Sequence, residues 1–140
     1  MAFQQDGGCQ CGAIRYRVSQ EPVAVGICHC TECQAATGSA FSMSMIVPDA
    51  GFGLLQGQLK TWTRSSDSGR PVVCAFCPDC GTRITHQAEL YRGFVNVRPG
   101  TLDDRSWLRP TRSFWTREKQ PWVQVPDDLV QHETQPSGKA

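Results

Sequence analysis

Seven of the eight cysteines in this chain fall into three short clusters. The clusters are Cys9-Gln10-Cys11, Cys28-His29-Cys30-Thr31-Glu32-Cys33 and Cys77-Pro78-Asp79-Cys80. Such spacings let two thiolates face one metal ion from a single turn, as in tetrahedral zinc sites. Two pairs complete a site of four sulfurs, whereas three sulfurs leave a zinc ion with one open position. The unequal division predicts one closed metal site and one that is open to other ligands.

The two pairs, Cys9/Cys11 and Cys77/Cys80, are predicted to hold one structural zinc ion together. Residues i and i+2 of an extended segment point to the same side, and two intervening residues allow a tight turn at the second pair. A glycine follows each pair and can adopt the positive φ that such a turn requires. Zinc bound in this way would fix the N-terminal segment to the middle of the chain.

The remaining cluster, Cys28, Cys30 and Cys33, is predicted to hold zinc with one position open. Cys28 and Cys30 lie on one side of an extended segment, and Cys33 lies at the start of a predicted helix, where thiolates are favoured. A second structural zinc completed by His86, Asp or Glu is the alternative. His29 points away from the sulfurs, and could be a ligand, a substrate-orienting or proton-transferring group, or a hydrogen-bonded structural residue.

The eighth cysteine, Cys74, is predicted to be a buried free thiol. It alternates with Val72 and Phe76 on the apolar face of a strand, where cysteine behaves as a small hydrophobic residue. The alternative is a rival Cys-x-x-Cys pair with Cys77. Eight cysteines would also permit four disulfides, but these short spacings suit scaffold bridges poorly.

The chain is predicted to be mainly β, built from packed antiparallel sheets, with one short helix. Period-two alternation is typical of half-buried strands, and Gly and Pro separate such segments. The predicted strands cover residues 13–18, 41–47, 59–64, 71–76, 83–87 and 93–97. The helix is predicted over 31–37, with Thr31 as N-cap and Gly38 after its end. Residues 1–130 are predicted to form one domain, in which Trp107, Trp115 and Trp122 pack the C-terminal stretch against the sheet. Residues 131–140 are predicted to form a polar tail.

Charge and hydropathy predict neither a nucleic-acid nor a membrane partner. The net charge is +1 and no block of Lys and Arg occurs. No apolar run approaches the roughly 20 residues that a membrane-spanning helix needs. The first residues lack the basic and apolar regions of a secretory signal, so a cytoplasmic location is expected. Nucleotide-binding glycine motifs and the His-Glu-x-x-His zinc motif are absent as well.

Taken in order, the motifs resemble the glutathione-dependent formaldehyde-activating enzyme family, also called the centromere protein V family. The segments that carry the resemblance are Gly7-Gly-Cys-Gln-Cys-Gly-Ala-Ile-Arg-Tyr16, Cys28-His-Cys-Thr-Glu-Cys-Gln34, Thr37-Gly-Ser-Ala-Phe41, Phe76-Cys-Pro-Asp-Cys-Gly-Thr82 and Gly100-Thr-Leu-Asp-Asp104. The resemblance implies an Mss4-like fold of packed β-sheets. It also implies a structural zinc at the two cysteine pairs and a catalytic zinc at Cys28, Cys30 and Cys33.

The activity that the resemblance implies is a carbon–sulfur lyase reaction, the condensation of formaldehyde with glutathione to S-hydroxymethylglutathione. A glutathione-like thiol and an aldehyde are therefore the expected partners. Candidate substrate contacts are Gln34, Thr37, Ser39, the Gly38 backbone and an arginine such as Arg83 or Arg98. The alternative from another class is a non-catalytic, zinc-stabilised Mss4-like module that binds a partner, because fold alone does not fix function.

Overall fold

The computed structural model describes residues 2–135, which are mainly β with one α-helix, as predicted. The strands are β1 Gln5–Gly8, β2 Arg15–Val18, β3 Ala24–Cys28, β4 Ser42–Pro48, β5 Phe52–Gln56, β6 Lys60–Ser65, β7 Pro71–Phe76, β8 Arg83–Ala88, β9 Phe94–Val97, β10 Arg112–Phe114 and β11 Val130–Gln131. The α-helix, α1, is Thr31–Thr37. Short 3₁₀ helices occur at Asp49–Gly51, Glu89–Tyr91, Pro99–Thr101 and Thr116–Glu118.

The chain divides into two compact units, which are described separately. One comprises Met1–Val23 and Met45–Trp107, and the other comprises Ala24–Ser44 and Leu108–Ala140. The four cysteines of the two pairs all belong to the first unit. The remaining cluster belongs to the second unit.

In the first unit the strands pair antiparallel. One sheet has the order β1-β2-β5. In a second series, the residues of β4 from Met45 onward pair with β9, which is followed by β8, β7 and β6. The predicted alternation on β2 is confirmed, because Tyr16 and Val18 are completely buried while Arg15 and Arg17 face outward. Arg17 pairs with Asp6 on β1, which ties the two strands together at their surface.

In the second unit β10 pairs in parallel with both β3 and β11. This parallel arrangement was not predicted, because alternation within a strand carries no information about the direction of its partner. Ser113 of β10 lies opposite Ile27, and Phe114 lies opposite Cys28 at the end of β3. The ladder therefore places a C-terminal segment directly beside the cysteine cluster of this unit.

Most of the predicted strands are present, and several others were missed. The segments predicted at 59–64, 71–76, 83–87 and 93–97 correspond to β6 to β9 within one residue at either end. The strands β1, β3 and β5 were not predicted. The sequence of β1 is Gln-Asp-Gly-Gly, and β5 is largely exposed, so neither shows an apolar alternation.

The C-terminal segment differs from expectation at Trp122, which is 69% exposed and so does not cover a core. Trp107 contacts Phe3 edge to face, with ring centroids 5.7 Å apart. Of the predicted tail, Gln131 lies in β11, and residues 136–140 lie outside the described residues. Within residues 2–135 no helix has the length and apolar character needed to cross a membrane.

Candidate metal centres

The four-cysteine cluster consists of Cys9, Cys11, Cys77 and Cys80, whose Sγ atoms all lie within 4.8 Å of one another. The Sγ atom of Cys11 lies 3.6 Å from that of Cys9 and 3.8 Å from that of Cys77. A tetrahedral site with Zn–S bonds of about 2.3 Å requires sulfurs about 3.8 Å apart. The spacing and the all-thiol donor set therefore fit zinc.

Tight turns hold each pair of this cluster. The amide of Gly81 donates to the carbonyl of Cys77 at 2.9 Å, and Gly81 has φ of 80°. The amide of Gly12 donates in the same way to the carbonyl of Cys9 at 3.2 Å, with φ of 85°. Both glycines thus occupy left-handed conformations that other residues adopt only with strain.

The three-cysteine cluster consists of Cys28, Cys30 and Cys33, whose Sγ atoms also lie within 4.8 Å of one another. All three side chains are half-buried. Among the described residues the group contains no His, Asp or Glu donor atom. The donor set is therefore three thiols, which fits zinc with one coordination position left to a further ligand.

The local chain positions these sulfurs at a strand end and a helix start. Cys28 is the last residue of β3, and Cys33 lies in the first turn of α1. The predicted helix range is confirmed, but the predicted N-cap, Thr31, is wrong. Cys30 is the N-cap, because its Sγ accepts a hydrogen bond from the Cys33 amide at 3.2 Å. Gly38 ends the helix in the left-handed conformation, as predicted.

Crowding of thiols has a marked effect on their pKa values. The pKa of Cys28 is raised by its neighbours Cys30 and Cys33 and by burial. The hydrogen bond from Cys28 lowers the pKa of Cys30, but Cys33 and burial outweigh it and bring the value to about 11. Three thiolates at this spacing repel one another, so a cation is needed to hold them all deprotonated at neutral pH.

Comparison with known proteins agrees with this geometry. The family model described as glutathione-dependent formaldehyde-activating enzyme matches residues 4–118. The chain belongs to this family. The family's matched region includes both cysteine clusters. A crystal structure of a protein from Rhodobacter sphaeroides is similar with a TM-score of 0.57, at 16% identity, covering 91% of this chain and 98% of that chain. At that identity the likeness supports the fold alone.

No disulfide forms among the eight cysteines, all of which lie in the described part of this family member. Cys74 is buried on β7 and belongs to neither cluster, as predicted for a free thiol. The rival pairing with Cys77 is therefore not formed.

Thr82 supports the four-cysteine cluster, and the sequence reasoning gave it no role. Its Oγ1 accepts a hydrogen bond from the amide of Gln10 at 3.1 Å and lies 3.1 Å from the Sγ of Cys80. A hydroxyl that accepts from an amide can donate to a thiolate. Hydrogen bonds from the hydroxyl and the amide of Thr82, together with the amide of Cys11, lower the pKa of Cys80 to about 5. Thr82 thereby joins the two cysteine pairs and favours the ligand form of one sulfur.

His29 is completely buried and is not part of either cluster. Its Nε2 lies 2.9 Å from the Oγ of Ser113, and its ring contacts Phe41 at a centroid distance of 5.7 Å. Burial, and to a smaller extent the charge of Lys119, lowers the pKa of His29. Of the alternatives considered, these contacts match a neutral, hydrogen-bonded structural residue.

Gln34, one of the candidate substrate contacts, is engaged within the protein. Its Nε2 donates to the carbonyl of His29 at 2.7 Å and to that of Glu118 at 3.2 Å, while its Oε1 accepts from Gln120 at 2.9 Å. The carboxylate of Glu118 in turn accepts from the amide of Thr31 at 2.7 Å. Residues 118–120 therefore bind the start of α1, a connection that no sequence motif indicated.

Proposed function

We propose that this chain is a zinc-dependent carbon–sulfur lyase that joins a small thiol to an aldehyde. The observation that carries the proposal is the three-cysteine cluster, in which three thiols converge without a fourth protein donor among the described residues. Glutathione and formaldehyde are the proposed substrates, because the chain belongs to the family described by that thiol and that aldehyde.

The proposal gives the two clusters different roles. Cys9, Cys11, Cys77 and Cys80 would hold a zinc ion that stabilises the fold. The three-cysteine cluster would hold a second zinc, which when bound supplies a Lewis acid that keeps an incoming thiol deprotonated.

The chain's own contribution is to fix the three sulfurs and to shield them partly from water. Cys28 is held by the pairing of β3 with β10, and the Sγ of Cys30 is held by the Cys33 amide. Partial burial strengthens electrostatic interactions at the cluster relative to those in water.

In the proposed reaction a carbon–sulfur bond forms between the substrate sulfur and the aldehyde carbon. The π electrons of the carbonyl group move to its oxygen, and the proton lost by the thiol ends on that oxygen as a hydroxyl. No oxidant or reductant is required. The reverse reaction breaks the same bond and returns the proton to sulfur.

The test measures thiol-dependent loss of formaldehyde above the uncatalysed rate. Wild type is compared with Cys30→Ser, which removes one sulfur, and with Cys74→Ala, which removes a buried thiol outside both clusters. We expect catalysis by wild type and Cys74→Ala and only the uncatalysed rate with Cys30→Ser. The uncatalysed rate with all three proteins, across glutathione and other small thiols, would refute the lyase and favour the partner-binding module.

A further inference from the structure

We propose that residues 130–135 form a C-terminal clamp that positions the three-cysteine cluster, with His132 as its central positioning residue. The inference rests on the proposed function only in taking that cluster as the reactive site. The matched family region ends at residue 118, and the clamp lies beyond it.

The clamp is bound to the segment 111–117 by its backbone. Four of the hydrogen bonds between them run from Val130 N to Thr111 O (3.0 Å), from His132 N to Ser113 O (2.8 Å), from Thr116 N to His132 O (3.1 Å) and from Arg117 N to Glu133 O (3.3 Å). The clamp donates the first two of these bonds and accepts the other two, and they extend beyond the two residues of β11 itself. Val130–Gln131 pairs with β10 in parallel, so the clamp covers the edge of β10 that faces away from β3.

A stack of rings forms the second connection. The imidazole of His132 stacks on Phe114, with centroids 5.4 Å apart and planes inclined by 11°. The ring of Phe114 also contacts the backbone of β3, because a Cβ added at Gly26 would lie only 2.4 Å from the Cε2 of Phe114. His132 therefore holds the Phe114 ring against the strand that ends in Cys28.

The segment held by the clamp in turn holds the residue between two cysteines of the cluster. The Oγ of Ser113 lies 2.9 Å from the Nε2 of His29, and the carbonyl of Phe114 accepts from the His29 amide at 3.0 Å. His29 is flanked by Cys28 and Cys30. Loss of the clamp should therefore let these two sulfurs separate while the four-cysteine cluster, which lies in the other unit, stays intact.

The variants separate these contacts. His132→Pro removes both the amide that donates to Ser113 and the ring that stacks on Phe114. Gln131→Pro is the matched control. Amides alternate along a strand, so the amide of Gln131 points away from β10, where proline is tolerated. His132→Phe replaces the imidazole by another flat ring that can stack on Phe114, and it keeps the backbone amide that donates to Ser113.

The measurement is the rate at which iodoacetamide labels each cysteine of the zinc-loaded, full-length protein, resolved by peptide mass spectrometry, together with the zinc content. Labelling of protected thiols follows the population of locally opened states. We expect His132→Pro to label Cys28, Cys30 and Cys33 at least about fivefold faster, in line with the loss of a hydrogen bond and a ring contact. The four-cysteine cluster should change by less than about twofold, and Gln131→Pro and His132→Phe should resemble wild type.

Two results would overturn the clamp: equal acceleration at both clusters, which indicates general loss of stability, or no acceleration at either. Because labelling and zinc content do not depend on turnover, the two proposals can fail separately. A wild-type protein without lyase activity, in which His132→Pro still exposes the three-cysteine cluster selectively, refutes the proposed reaction and supports the clamp. An active enzyme whose labelling is unchanged by His132→Pro refutes the clamp alone.

Discussion

Cys30 combines two roles that different substitutions should separate. Its sulfur belongs to the three-cysteine cluster, and the same sulfur is the N-cap of α1, accepting from the Cys33 amide at 3.2 Å. Its backbone angles, φ of −60° and ψ of 152°, are those of an ordinary N-cap residue. Serine at this position would retain the cap but lose the thiolate, whereas alanine would lose both.

The expected magnitudes follow from this geometry. Both Cys30→Ser and Cys30→Ala should reduce lyase activity to the uncatalysed rate. Replacing a serine N-cap by alanine costs about 1 kcal/mol of folding free energy. For a chain of 140 residues, Cys30→Ala should therefore melt about 3 °C below Cys30→Ser.

The assay is thermal unfolding of the two variants, on samples whose zinc content has been measured and matched. The control pair is Cys33→Ser and Cys33→Ala, in the first turn of the helix rather than at its cap. At Cys33 the alanine variant should be more stable than the serine variant by a few tenths of a kcal/mol, because alanine has the higher helix propensity. Equal melting temperatures for the two Cys30 variants would show that its sulfur does not cap the helix, and wild-type activity in Cys30→Ser would remove this residue from the chemistry.

Three further predictions concern the metal sites and the surface. Thr82→Val should weaken zinc binding at the four-cysteine cluster by about 10- to 100-fold, measured by competition with a chromophoric chelator, because it removes the largest of the hydrogen bonds that lower the pKa of Cys80. Hydrogen bonding to Arg15 lowers the pKa of Asp103. The stability from this pair is therefore present above the unfolded-state pKa of the carboxylate and is lost as the pH falls through its folded-state pKa. In chemical denaturation across the acid range, the free energy of unfolding should fall less for Asp103→Asn than for wild type. Metal analysis during chelation should find one tightly held zinc per chain and a second that is removed more readily, and two equally inert ions would contradict the open cluster.

The cysteine pattern predicted which sulfurs lie together within each pair because ligand spacing is a local property. The joining of the two pairs was predicted because one pair cannot complete a tetrahedral site. Tight turns bring Cys77 and Cys80 together without help from distant residues, and the glycines that close such turns are visible in the sequence. The strands from β6 to β9 were predictable for a related reason, since each carries its own alternation of buried and exposed side chains.

Some of the features that were missed depend on distant partners, and the others are ambiguous or too short to be visible in the sequence. The side chain that caps α1 depends on whether Cys30 or Thr31 turns toward the Cys33 amide, and both residue types are compatible with the pattern. The carboxylate of Glu118 accepts a hydrogen bond from the amide of Thr31, and Thr82 joins two cysteine pairs far apart in the chain. The parallel strand β10 has only three residues, too few to show any periodicity.

The two clusters are therefore built by different means, and this difference bears on their proposed roles. Turns closed by glycines preorganise each pair of the four-cysteine cluster, and Thr82 joins the two pairs, so the four sulfurs suit an ion that is bound once and kept. The three sulfurs instead depend on tertiary contacts with Ser113, Glu118 and His132, directly or through neighbouring residues. Local opening of such contacts costs less than unfolding of a core. The proposed reaction must admit a thiol and release a product, so it needs sulfurs that can adjust slightly. Contacts from separate segments allow this adjustment without unfolding either turn of the four-cysteine cluster.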